Sequence, residues 1–309
     1  MSERAHVTVL CGGASPEAKV SRVTGPSVAE ALKQFYDVEL IDLADDSLPA
    51  LDAAKTVVFP AMHGPFGEDG QLQMLLDQAG VSYAGCDAAS SALCMNKVNT
   101  KNAVTDSGFA LAKDFTFAAQ SKPSAEAIIA KLGEGVVIKP LDSGSSVGVH
   151  IAHGRYELNA VLERVKAGDW MAEQLIAGRE MTIGLLDGGA MGIVEIRPKD
   201  GIYDYEHKYT TGATEYLFPA PMDETLSCKV RSFAENAFAS CNCRDFARLD
   251  FILTHDDQPF FLEINTIPGM TPTSLLPKSA SCVGLGFQPL VRRMMEPAIA
   301  RAAKHRAAS

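Results

Sequence analysis

The chain predicts a three-part mixed fold: a doubly wound, mostly parallel α/β unit followed by two smaller α+β units. Three observations predict it. Roughly the first 90 residues alternate apolar strands with helices across short connections, as parallel sheets covered on both faces do. From about residue 107 strands and helices follow in another order, as an α+β unit. Past residue 178 the strands dominate, and the stretch ARLDFILTHDDQPFFLEINTIPGMT reads as a hairpin. The expected units are residues 1–95, 96–178 and 179–309.

In order, VTVLCGG is a strand entering a Gly turn, and residues 15–35 are a helix with Ser15 as N-cap and Pro16 at its first position. DVELIDL, TVVFPAMHG and VSYAG are further strands, and GQLQMLLDQAG is an amphipathic helix. Residues 88–107 read as one helix leading into the second unit. There AKDFTF and WMAEQLI are strands, SAEAIIAKLG and YELNAVLERVKAG are helices, and GVVIKPLDSGSSVGVHIA is strand–loop–strand. The third unit opens at Gly178 with MTIGLL and GGAMGIVEIRP, carries a helix over 226–241, and ends in a helix over 288–303. Residues 199–221 are tyrosine-rich and aperiodic, which predicts a long functional loop or lid.

At 309 residues the chain suits two or three cores rather than one. A net charge of -10 argues against a nucleic-acid backbone as partner, which would want a basic surface. No apolar run approaches the ~20 residues of a membrane span, and the opening strand is too short for a signal peptide. Cys11, Cys86, Cys94, Cys228, Cys241, Cys243 and Cys282 are scattered without a CxxC pair, and Cys241-Asn-Cys243 is a weak metal signal. A reduced, cytoplasmic chain is expected.

With Asp256 and Asp257 as a two-residue turn, Asp250 lies opposite Glu263 and Arg248 opposite Asn265, all on one face. Ile252 and Phe261 share that face, while Leu249, Phe251 and Leu253 oppose Ile264, Leu262 and Phe260. Two facing carboxylates repel and need a cation. An Asp, a Glu and an Asn oxygen suit Mg²⁺; the bland alternative is a solvated face neutralised by Arg248. The loop of residues 139–148, KPLDSGSSVG, can wrap phosphate with N–H groups or be a plain turn, and Lys139 at the strand end favours phosphate. Gly12-Gly13 is no dinucleotide fingerprint, because Glu17 would set negative charge where pyrophosphate sits. His63 could meet a carboxylate or be a hydrogen-bonded core residue. Glu173, at the join of the second and third units, could accept from ribose or an amine or belong to a solvated hinge.

These residues, in seven ordered motifs, resemble the D-alanine–D-alanine ligases of the ATP-grasp superfamily: GGASPE, HGPFGEDG, MNKVNTK, VIKPLDSGSSVGV, AEQLIAGREMT, YDYEHKY and RLDF…FFLEINTIPGMTPTSL. The resemblance spans residues 7–290. It implies an ATP-grasp fold in which the two α+β units sandwich ATP. It implies ATP-dependent joining of two D-alanines through an acyl phosphate, a peptidoglycan-precursor step, with two Mg²⁺ ions (Mn²⁺ as substitute) and a homodimer. It matches Lys97, Lys139 and Lys208 to ATP phosphates, and Ser145 and Ser146 to the phosphate loop. Glu173, Gln174, Ile176 and Glu180 match adenine and ribose contacts, and Asp250, Glu263 and Asn265 match metal ligands. Arg248 and the Gly269 N–H match groups that stabilise the charged intermediate. Glu17 and His63 match residues around the first D-alanine, and Ser274 and Leu275 contacts to the second. Glu17, Ser145 and Tyr209 match a trio that closes the site under the 199–221 loop.

Two departures stand out: Ala18-Lys19 where the family has Arg-Glu, and Asp142 in the phosphate loop. They keep open a relative using D-lactate, D-serine or another amino acid as second substrate. An inactive nucleotide-binding regulator is the other alternative, and it would have lost lysines or metal ligands that this chain keeps.

Overall fold

The computed structural model describes residues 4–142, 144, 147–199 and 214–308. Three sheets are built in chain order. The first is parallel, ordered β2-β1-β3-β4, from β1 (His6–Gly12), β2 (Asp37–Leu43), β3 (Thr56–Pro60) and β4 (Ser82–Tyr83). One face carries Val7, Val9 and Val57 against Val28 and Leu32 of helix α1 (Ala18–Leu32). The other carries Leu10 and Val58 against Leu72 and Leu76 of α2 (Gln71–Gln78). Both faces are covered, as doubly wound sheets require.

Two short helices, α3 (Ala88–Met95) and α4 (Lys97–Ala103), lead to the second sheet, ordered β5-β8-β6-β7. Its strands are β5 (Asp114–Ala118), β6 (Gly135–Pro140), β7 (His150–His153) and β8 (Asp169–Gln174). Val136, Ile138 and Ala172 face helices α5 (Ala125–Leu132) and α6 (Gly154–Arg164). By the two-residue period of strands, Lys139 and Glu173 take the opposite face.

The third sheet is ordered β11-β10-β9-β12-β13, from β9 (Arg179–Leu186), β10 (Gly189–Pro198), β11 (Thr214–Leu217), β12 (Phe246–Leu253) and β13 (Pro259–Asn265). Helix α7 (Glu224–Ser240), capped by the Asp223 carboxylate, buries Val230, Ala234 and Phe238 against Ile183, Leu249 and Phe251. Helix α8 (Leu275–Ser281) crosses β9 and β10 closely enough that a Cβ on Gly192 would lie 2.1 Å from Cys282 Cβ. The last helix, α9 (Phe287–Ala308), returns to the first sheet, where Leu290, Met294 and Ala298 join the Val7–Val9 core. Full burial of each such Leu or Met stabilises by about 1.5–3 kcal/mol. Arg301 on α9 clamps the join, bonding Asp245 (2.8 and 2.5 Å) and the Tyr83 carbonyl (2.8 Å).

Several expectations need correction. The hairpin keeps the expected pairing only from Arg248↔Asn265 to Asp250↔Glu263, and then Phe251 pairs Phe261. A bulge at Leu262 inserts one residue, which moves everything beyond it to the other face. Phe261 is therefore buried beside Phe251 in the core rather than on the carboxylate face. The turn is also one residue longer: Thr254 N–H donates to Gln258, Asp257 N–H donates to Thr254, and Asp257 takes φ +61°. That is a type I turn closed by a left-handed residue, which Asp tolerates.

Helix α1 starts at Ala18, not Ser15, because the Ser15 hydroxyl donates to the His63 carbonyl instead of capping (2.8 Å). The expected helix over 88–107 breaks at Asn96, which is extended and caps α4 through Asn99 N–H (3.1 Å). The end of the aperiodic 199–221 stretch is a strand, β11, paired with β10. The final helix runs on to Ala308.

Candidate functional site

Strand β13 of the third sheet and helix α4 meet at one pocket, and Lys139 and Glu173 of the second sheet lie close enough to act electrostatically on its Lys97. The pocket wall includes Lys97, Gly144, Leu262, Glu263, Asn265, Thr266 and Glu68. Lys97 arrives because the break at Asn96 starts α4 there, at the pocket edge. The Leu262 bulge brings both Leu262 and Glu263 to the wall.

Asp250 is the most heavily bonded carboxylate here. Arg248 grips it with two bonds (2.9 and 2.7 Å), the Thr182 hydroxyl donates to it (2.5 Å), and the Asn265 amide donates to it (3.2 Å). The same amide donates to Glu263 (3.2 Å). Asp250, Glu263 and Asn265 thus form one connected group, as the ladder predicted. Among the described residues no group of three or more His, Cys, Asp and Glu is arranged to hold a metal ion. The hard-oxygen set is therefore two carboxylates plus an amide, and rotating the Asn265 amide would turn its oxygen to the carboxylates' side.

Lys139, at the end of β6, is held by a carboxylate of the neighbouring strand. Its ammonium donates to Glu173 (2.5 Å), which also accepts from Lys101 (2.7 Å). All three are buried, and Lys101 also donates to the Ala112 carbonyl (2.7 Å) and to Asp114. Burial pushes the Glu173 pKa up, but Lys139 and Lys101 outweigh it and hold the carboxyl below its usual range. Lys101 is a residue that sequence reading missed. Its signal was present: it stands four residues after Lys97, one helical turn along.

Lys97 is nearly enclosed. Its pKa falls to about 8, chiefly through burial and also through Lys139, while Glu263, Asp142 and Glu173 oppose the fall. Asp142, the acid in the loop, accepts from Asn96 (2.7 Å).

A second cluster adjoins at the ends of the first sheet's strands. His63 Nδ1 meets the Ile267 carbonyl (3.0 Å), so this nitrogen carries the proton and Nε2 accepts from the Thr24 hydroxyl (3.0 Å). Ile267 lies two residues beyond Asn265, so this bond ties the two clusters together. Glu17 is 2% exposed, and its Oε2 is buried without a hydrogen-bond partner among the described residues. Burial is the main cause that raises its pKa, and nearby Glu68 adds to it. Gly64, at φ +78°, must be glycine here, since a Cβ would lie 2.3 Å from Glu17 Oε2.

Gln174 and Ile176 lie at the end of β8 and just past it, and Glu180 is the second residue of β9, opposite Ile252, so the expected hinge is one continuous crossing between two sheets. Ser274 precedes α8, where its hydroxyl accepts from Thr271 N–H (3.0 Å), and Leu275 packs on Val194 and Ile196. Gly269 lies close by, with Ser274 Oγ 3.3 Å from where its Cβ would be. Ser145, Ser146, Lys208 and Tyr209 lie outside the described residues.

A parallel N-terminal sheet followed by two α+β sheets, with a pocket lined by Lys97, Glu68 and Glu263, defines an ATP-grasp protein. Residues 102–296 match the family model for the D-ala D-ala ligase C-terminus, and residues 44–86 that for its N-terminus. The chain belongs to the D-alanine–D-alanine ligase family. It is 41% identical to the D-alanine–D-alanine ligase of Syntrophotalea carbinolica, over 97% of this chain and 98% of that one. The ATP complex of the Bacillus anthracis D-alanine–D-alanine ligase superposes with a TM-score of 0.83 at 27% identity, over 97% of this chain and 99% of that one. The VanG D-Ala:D-Ser ligase of Enterococcus faecalis gives 0.80 at 25% identity, over 96% and 100%. No helix among the described residues is long and apolar enough to cross a membrane.

Proposed function

We propose that this chain joins two D-alanines into D-alanyl-D-alanine, coupled to cleavage of ATP into ADP and phosphate, for peptidoglycan synthesis. The carboxylate of the first D-alanine attacks the γ-phosphorus, giving an acyl phosphate and ADP. The amine of the second attacks the acyl carbon, the C–O bond to phosphate breaks, and the amine loses a proton. The observation that carries the reading is the single pocket shared by Lys97, Glu263, Asn265 and Gly144, tied through Ile267 to His63 beside the unpartnered Glu17 oxygen.

Roles follow from charge. The first step brings two anions together, so cations must offset the repulsion. Lys97 and Lys139 take this role in the reading, and an ammonium has three donors, so Lys139 can hold Glu173 and still meet a phosphate. Lys208, Ser145 and Ser146 are assigned the same task by family resemblance. Glu173, Gln174, Ile176 and Glu180 take adenine and ribose along the hinge. Asp250, Glu263 and Asn265 would hold Mg²⁺, which when bound neutralises phosphate charge. Arg248 offsets charge on the acyl group as it reacts, and the Gly269 N–H is the oxyanion donor. Buried Glu17 suits the ammonium of the first D-alanine, with His63 next to it, and Ser274 and Leu275 border the second. Glu17, Ser145 and Tyr209 close the site. A homodimer, two metal ions and a cytoplasmic location complete the reading on the support of the family.

The test is incubation of the protein with ATP and D-alanine, alone or with D-lactate or D-serine, and mass spectrometry of products. D-alanyl-D-alanine should form with D-alanine alone and remain the main product in the mixtures. A depsipeptide or D-alanyl-D-serine as main product would refute the substrate assignment.

A further inference from the structure

Four of the seven cysteines that look scattered in sequence come together in space. Cys86 follows β4, Cys94 sits in the last turn of α3, and Cys241 and Cys243 follow α7. The Cys94 and Cys243 sulfurs lie 3.7 Å apart, across a separation of 149 residues. Cys86 faces Cys243 as well, and Cys94 also faces Cys241.

The surrounding backbone holds these segments together. The Ser90 hydroxyl on α3 donates to the Asn242 carbonyl (2.7 Å). Gly85 N–H donates to Asp245 (2.9 Å), and Arg244 donates to the Gly85 carbonyl (2.9 Å). The Cys86 thiol lies against the Arg244 and Phe246 carbonyls (3.7 and 3.9 Å). Cys243 is half-buried, whereas Cys86, Cys94 and Cys241 are buried, so Cys243 is the member that solvent reaches. Cys94 also lines the nucleotide-side pocket with Lys97 and Glu263.

We propose that Cys94 and Cys243 are a site of reversible disulfide formation, driven by peroxide, that staples α3 to the end of α7 beside the pocket. The two sulfurs are already in van der Waals contact, and a disulfide would bring them to ~2.05 Å. The Cys243 thiolate attacks one peroxide oxygen, the O–O bond breaks, and protonation releases water, leaving a sulfenic acid. The Cys94 sulfur attacks that sulfur, the S–O bond breaks, and a second water leaves. Each sulfur loses one electron, and the peroxide gains two. Cys241 and then burial push the Cys94 thiol up against an opposing influence of Cys243, and Cys94 and burial together outweigh the lowering influence of Cys86 on the Cys243 thiol, so the pair rests reduced and reacts slowly. The bond closes a very long loop, which constrains the unfolded chain and raises thermal stability.

The test uses the full chain with exposed Cys228→Ser, which removes the easiest intermolecular partner. After hydrogen peroxide, the intact mass should fall by two hydrogens, and a proteolytic digest should contain the peptides of Cys94 and Cys243 joined. The melting temperature should rise and return with dithiothreitol. Adding Cys243→Ser should remove both the cross-link and the rise; adding Cys241→Ser should remove neither. The proposal is overturned if peroxide only adds oxygen, if the cross-link maps to another pair, or if the purified protein holds a zinc ion on these four thiols.

Discussion

Lys97 makes the reaction sensitive to alkaline pH in a way that its burial sets. An exposed lysine keeps its proton to about pH 10, but burial brings Lys97 to about 8. The drop corresponds to roughly 3 kcal/mol disfavouring the charged form. The sign follows directly. The folded pKa lies below the unfolded one, so the unfolded chain holds a proton between about 8 and 10.5 that the folded one has released. Stability from this group therefore rises with pH through that window, while the charge available to a phosphate disappears. One pH unit above 8, about one molecule in ten keeps the ammonium. The ratio kcat/KM for ATP, measured by phosphate release at saturating D-alanine, should fall about tenfold per pH unit above 8, because it reports the free enzyme. Lys97→Arg keeps its charge throughout, so that limb should move out of range. Lys97→Met should lose turnover yet show a higher urea midpoint at neutral pH. An unchanged alkaline limb in Lys97→Arg would refute the assignment.

Glu173→Gln leaves Lys139 and Lys101 buried without their shared carboxylate, and urea unfolding should show a loss of about 3–5 kcal/mol. An effect under about 1 kcal/mol, the range of a surface pair, would mean that the two lysines find other partners. Asp250→Asn keeps the shape of a residue that accepts from Arg248, Thr182 and Asn265, so circular dichroism should be retained while phosphate release is lost; normal turnover would remove Asp250 from the metal set. Gly192→Ala forces α8 away from β10, which should cost about 1–3 kcal/mol in urea unfolding, and an unchanged midpoint would show that the helix yields freely.

Periodicity revealed the sheets because each is apolar on the faces it buries: Val7, Val9, Leu10 and Val58 read as a two-sided strand set, and Leu249, Phe251 and Leu253 as a one-sided one. The pairing Asp250↔Glu263 was legible for the same reason. The bulge at Leu262 was not, since an extra apolar residue after the apolar Phe260 and Phe261 leaves no trace in the pattern. The break at Asn96 was hidden because Asn is tolerated inside helices, and its capping bond is visible only once Asn99 is placed. Lys139 could be located at its strand end, but its partner Glu173 lies 34 residues away and across a ladder. The Cys94–Cys243 contact joins segments 149 residues apart, so spacing alone could not show it.

The most direct test of the account is the fate of the carboxylate oxygen of the first substrate. D-alanine labelled with heavy oxygen in its carboxylate is supplied with unlabelled ATP in unlabelled water, and the released phosphate is analysed by mass spectrometry. Attack by that carboxylate on the γ-phosphate predicts one heavy oxygen in each phosphate, formed together with one D-alanyl-D-alanine. Phosphate carrying oxygen only from ATP and water would contradict an acyl-phosphate route and the proposed roles of Lys97, Arg248 and Asp250 with it.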